Sequence, residues 1–108
     1  MSQDHLGEFE QMILLSIMRL GKEAYGLSIK DELESVAGRS PSSGALYTTL
    51  DRMEKKGFLE SSPGPATSGR GGRPRRYIRV TPEGRKMLAR SRTTLLALWD
   101  GLEGALDR

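Results

Sequence analysis

The stretch from Ser42 to Leu59, SSGALYTTLDRMEKKGFL, limits what this chain can fold into more than any other part of it. Ser42 or Ser43 can cap a helix by accepting a hydrogen bond from a free N–H of its first turn. Leu46, Leu50 and Met53 then recur on one face, while Ser43, Tyr47, Thr48, Asp51 and Lys55 fall on others. Gly57 stops the helix, and Phe58 to Ser62 reads as a short strand. In a second strand, Arg75 to Val80, Ile78 and Val80 alternate with Tyr77 and Arg79, a period of two that predicts one buried face. Between the strands, Pro63 to Pro74 is rich in Gly, Pro, Ser and Thr, which predicts an exposed loop.

Three more helices are predicted around this unit. Leu6 to Leu20 is apolar around nearly its whole circumference from Met12 onward, and Gly21 ends it. A helix apolar all round is buried all round. In so short a chain three other helices cannot easily cover it, so part of its surface, with Leu6, Phe9 and Ile13, is expected to meet a partner chain. Ala24 to Val36 is a second helix with Tyr25, Ile29, Leu33 and Val36 on one face, ended by Ala37-Gly38. Thr81-Pro82-Glu83 opens the last helix with a cap residue, a proline at the first position and an acid in the first turn. Its spacing predicts that it runs to near Asp107. Leu88, Ser91, Leu95, Leu98, Leu102 and Ala105 form a heptad seam, and Leu96, Trp99 and Leu106 form a second stripe. One domain face cannot use both stripes, which favours a homodimer over a helix packed only on its own domain.

Charge is unevenly spread. The net charge of +3 divides into −4 over residues 1–38, +9 over Arg39 to Arg92 and −2 over residues 93–108. A basic block between acidic ends suits a polyanion. A helix followed by a hairpin with a basic tip is also the layout of a winged helix-turn-helix, which lays one helix in the DNA major groove and rests its hairpin on the backbone. On this reading Ser42, Ser43, Gly44, Tyr47 and Thr48 are the candidate groove-facing residues, with Arg52, Lys55 and Lys56 as phosphate contacts. Arg70, Arg73, Arg75 and Arg76 make the wing, where each neutralised phosphate adds salt-dependent affinity. The bland alternative is a solvated helix face and a soluble hairpin tip. Two other functional readings stand beside DNA binding: a basic face that docks an acidic protein, and a regulator whose output is ligand sensing.

Catalysis finds no support. There is no cysteine for a thiolate nucleophile, and with His5 the only histidine a zinc site would have to be built mostly of carboxylates, which is not expected. Gly69-x-Gly71-Gly72 sits in a basic hairpin rather than between a strand and a helix, so it is no dinucleotide fingerprint. Asp100 and Glu103 read as a solvated face or an interchain pair. No metal or cofactor is expected. The longest apolar stretch, Met12 to Met18, is too short to span a bilayer, and no signal peptide is visible, so a cytoplasmic protein is expected. Trp99 reads first as packing, and otherwise as the aromatic wall of a ligand cavity between two chains, with Leu96 beside it. The methionines read mostly as core filler.

Four motifs occur in a fixed order: Leu6-Gly7-Glu8-Phe9-Glu10, then Ala24-Tyr25-Gly26-Leu27-Ser28-Ile29, then Gly44 to Gly57, then Gly72 to Gly84. In these the chain resembles the PadR family of bacterial transcriptional regulators, specifically its short members without the large C-terminal domain. The resemblance implies a homodimer, swapped through its first and last helices, that represses promoters at an inverted repeat. It implies backbone contacts from Tyr47 and the basic wing. It also implies release by a small aromatic or cationic effector near the dimer centre, where some members place a drug-stacking tryptophan close to Trp99. The fold expected is therefore mostly α with a small β-hairpin: a winged helix DNA-binding domain over residues 1–81 and a long C-terminal dimerisation helix over residues 82–108. The dimerisation residues are Leu6, Phe9, Ile13, Leu88, Leu95, Leu98 and Leu102, and the partners are double-stranded DNA, a second copy and a small-molecule effector.

Overall fold

The computed structural model describes residues 5–64 and 75–107. Arg70 and Arg73 lie outside the described residues. Four helices and one hairpin follow in the order α1 (Glu8–Leu20), α2 (Gly26–Ala37), α3 (Ser43–Lys55), β1 (Leu59–Pro63), β2 (Arg76–Val80) and α4 (Pro82–Trp99). The expected mostly helical fold with a two-stranded antiparallel hairpin is what forms.

Local chemistry explains the boundaries. Ser42 caps α3, its hydroxyl accepting from the Ala45 N–H at 3.1 Å. Thr81 caps α4, accepting from the Gly84 N–H at 3.0 Å, and its hydroxyl donates to the Gly57 carbonyl at 2.6 Å. That second bond ties the start of α4 to the turn before β1. The strands pair from Leu59 opposite Val80 to Pro63 opposite Arg76. A single bridge joins Tyr25 to Tyr77, and the Ile78 N–H donates to the Ala24 carbonyl at 2.9 Å. The residues before α2 thus serve as a rudimentary third strand, which the sequence does not announce.

The core is built from Ile13, Leu14 and Ile17 of α1, Ile29 and Leu33 of α2, Leu46, Leu50 and Met53 of α3, and Leu59, Ile78 and Val80 of the hairpin, with Met87 of α4. Each such side chain contributes about 1.5–3 kcal/mol on burial. Leu46, Leu50 and Met53 occupy the core as their spacing predicts.

Three expectations are corrected. The first helix is not apolar in use all round: Leu6 and Ile13 are buried in this chain's own core, leaving a partner no access to the Ile13 side chain, while Leu15 and Met18 are exposed. Phe9 and Leu88 are partly buried against that core, and the Arg39 guanidinium lies 5.3 Å from the Phe9 ring centroid. Val36 is 58% exposed, because α2 meets the core through Gly26, Ile29 and Leu33, all of which lie before its last turn. The last helix stops at Trp99 rather than near Asp107. The chain turns at Gly101, with φ 83°, and a short 3-10 turn follows at Ala105–Asp107. Leu102, Asp100 and Glu103 therefore lie past the helix end, and the heptad seam is continuous only from Leu88 to Leu98. Leu95, Leu96, Leu98, Trp99, Leu102 and Leu106 are all exposed in the single chain.

Candidate nucleic-acid interface

Helix α3 turns its buried side to the core and leaves Ser42, Ser43, Gly44, Tyr47 and Thr48 exposed on its opening turns. Nothing stands within 4 Å of where a side chain at Gly44 would begin, so the helix surface there is open to close approach. Thr49, one position on, is buried and bonds back to the Ala45 carbonyl at 2.8 Å. Tyr47 is 43% exposed. Its ring lies across the start of α2, with its hydroxyl against Gly26, and among the described residues that hydroxyl makes no hydrogen bond. A polar atom held without a partner at a basic surface can bond a phosphate oxygen.

The hairpin stands beside α3 and is fastened to it. Glu54 of α3 accepts from the Ser61 hydroxyl of β1 at 3.0 Å and from the Arg76 guanidinium of β2. Arg76 also reaches Asp51 at 3.2 Å. Partial burial works to lower the Arg76 pKa, and the carboxylates of Glu54 and Asp51 more than reverse it, so the group stands above its ordinary range. Arg76 is thus shared between two acids of α3 and acts as a strut between that helix and the hairpin. Arg75 points elsewhere: its guanidinium lies 4.2 Å from the Tyr25 ring centroid, and Tyr25 meets Tyr77 edge to face at 5.7 Å. Arg52 and Lys56 face a buried carboxylate, that of Glu10. Lys55 is exposed and has no acidic partner among the described residues.

The candidates among the described residues therefore lie on the exposed side of α3 and at the adjoining start of β2, with different loads. Among the described residues Lys55 and Arg75 have no acid beside them, Arg52 and Lys56 share Glu10, and Arg76 has two. Sequence reading missed Asp51, Glu54, Glu10, Tyr25 and Gly26 as parts of this face. Only the like-signed pair Asp51 and Glu54, spaced i, i+3 on a helix otherwise basic at its end, could have signalled a cation to come.

Trp99, the candidate effector residue, lies in an apolar groove of about 240 Å³ with Leu95, Leu98, Leu102, Ala105 and Leu106. Leu96 does not line it. The i, i+4 neighbour Leu95 and the turn after the helix supply the walls instead. Among the described residues no group of acids, histidines or cysteines could hold a metal ion, and no helix is long and apolar enough to cross a membrane.

Comparison with known proteins agrees with this arrangement. The sequence profile of the transcriptional regulator PadR-like family matches residues 14–90. Comparison with curated proteins finds no match. Among solved structures, a PadR family transcriptional regulator from Eggerthella lenta is 29% identical, with 89% of this chain and 81% of that one covered at a TM-score of 0.65. RosR, solved as the complex RosR-S4, is 30% identical over 87% of this chain and 74% of its own, at a TM-score of 0.64. A PadR-like transcriptional regulator from Bacillus cereus matches in fold at a TM-score of 0.72, with 23% identity and 93% and 92% of the two chains covered. That family is one of regulators, not of enzymes. With its profile spanning most of the chain and the winged-helix arrangement in place, this protein belongs to the PadR-like family of transcriptional regulators.

Proposed function

We propose that this protein is a non-enzymatic transcriptional repressor that works in the cytoplasm and binds an inverted-repeat promoter site as a homodimer. The observation that carries the reading is the exposed opening of α3, with Ser43, Gly44, Tyr47 and Thr48, braced against the hairpin by Glu54 and Arg76. Residues 1–81 supply the DNA-binding unit and residues 82–108 the dimerisation element. The exposed apolar row of Leu95, Leu98, Leu102 and Trp99, with Leu15 and Met18 on α1, supports a second copy as its cover. Arg70 and Arg73 of the wing, with Arg75 and Lys55, supply the phosphate contacts. The groove at Trp99 supports an aromatic or cationic effector that acts from the dimer centre.

In vitro selection from a random duplex library tests the reading. Convergence on an inverted repeat with half-sites about one helical turn apart is the expected result. Enrichment without shared sequence would leave only backbone affinity, and the basic face would then be a docking site for an acidic protein.

Two variants probe the parts. Leu95→Asp with Leu98→Asp should give a monomer by light scattering and at least ~100-fold weaker binding to the selected repeat, since half-site affinities no longer combine. A folded dimer in that variant would move the interface elsewhere. Tyr47→Phe removes one hydroxyl at a half-exposed ring, so the melting temperature should barely change. Duplex affinity should fall by about 10-fold, the worth of a hydrogen bond to a charged group. Wild-type affinity would leave the hydroxyl without a role.

A further inference from the structure

Glu10 is the only buried ionisable side chain among the described residues, with its side chain 10% exposed. A buried carboxylate persists only where hydrogen bonds and opposite charge replace its water. Here Oε1 accepts from the Gly7 N–H at 2.9 Å and closes the first turn of α1. Oε2 lies 3.5 Å from Lys56 Nζ and 3.8 Å from Arg52 Nη2. Both cations sit at the end of α3, half exposed, on the basic face. Neither makes a hydrogen bond to Glu10, so the carboxylate holds both by charge alone. The link runs from the helix that carries the exposed Leu15 and Met18 to the helix whose opening turns face outward.

We propose that Glu10 is a positioning residue for the reading helix: it restrains Arg52 and Lys56 against α1, limits their hold on phosphate, and so keeps affinity for arbitrary DNA low. Selectivity is then left to the opening turns of α3. The proposal rests on the DNA-binding reading above.

Glu10→Gln tests it, because the glutamine keeps the acceptor for Gly7 and removes only the charge. Binding is measured against salt for the selected repeat and for a scrambled duplex of equal length. Glu10→Gln should bind the scrambled duplex about 3–10-fold more tightly near 0.1 M salt, with the slope of log affinity against log salt steeper by about one phosphate contact. The preference for the repeat should fall accordingly. Glu10→Asp keeps the charge and gives up the cap, so it should return the slope toward wild type. A residue that only capped α1 would show the reverse order, with Asp further from wild type than Gln. Wild-type slope and selectivity in a folded Glu10→Gln protein would overturn the proposal, as would weaker binding to both duplexes. If Glu10→Gln does not fold, Arg52→Gln with Lys56→Gln decides. A slope reduced by less than one phosphate contact supports restraint by Glu10, and a loss of about two overturns it. If the wild-type protein binds no duplex, the DNA reading falls and this proposal with it. If it binds and Glu10→Gln behaves identically, only this proposal falls.

Discussion

Replacing Gly84 with alanine should destabilise the fold by about 1–3 kcal/mol, the usual loss on forcing atoms into a filled site. Gly84 lies in the first turn of α4 and is buried. A methyl group there would run into the Phe58 carbonyl oxygen and come within 2.9 Å of Val80 Cγ1. The first obstacle is backbone, held in turn by the Thr81 N–H bond to the same carbonyl at 3.0 Å. It cannot swing aside as a side chain does, so α4 must lift from the hairpin. Helix propensity alone favours alanine over glycine by about 1 kcal/mol, so propensity and packing predict opposite signs. Packing should win, with the melting temperature lowered by roughly 5–20 °C for a domain of this size. Circular dichroism melts decide it. An unchanged or raised melting temperature would mean that α4 does not sit this close to β1.

Replacing Gly26 with alanine should act on binding far more than on stability. The new methyl group would overlap the Tyr47 hydroxyl and the edge of its ring. Here the obstacle is a half-exposed side chain, which can rotate into solvent, so stability should change by no more than about 1.5 kcal/mol. The hydroxyl leaves its place at the start of α2, and affinity for the selected repeat should fall by at least ~10-fold. A double-mutant cycle isolates the cause. In a Tyr47→Ala background, Gly26→Ala should cost nothing further in affinity. An equal additional loss there would show that Gly26 contacts DNA by its own backbone instead of through Tyr47.

These two glycines also mark where sequence reading stops. The caps at Ser42 and Thr81, the core stripe of Leu46, Leu50 and Met53, and the buried alternation of Ile78 and Val80 are all legible in the chain. Each depends on residues within a few positions of one another, and local sequence encodes local periodicity directly. The clustering of Ser43, Gly44, Tyr47 and Thr48 on one exposed helix opening is legible for the same reason. The spacing of Leu98 and Leu102, however, reads straight across Gly101. Spacing alone does not say whether the helix continues, and the chain turns there. Nor does composition say that Ile13 is spent on the chain's own core while Leu15 is not.

The charges divide most sharply. A count along the sequence finds a block of net +9, and the sequence reading treats Arg52, Lys56, Arg75 and Arg76 alike as DNA contacts. Packing treats them differently: Arg76 is held by Asp51 and Glu54, Arg52 and Lys56 share Glu10 from a helix that begins far upstream, and Arg75 rests on Tyr25. The sequence by itself determined the elements, their order and the sign of the face. Only the tertiary structure decided which cations are left to bind another molecule, because electrostatic attraction falls with distance in space and is unrelated to distance along the chain.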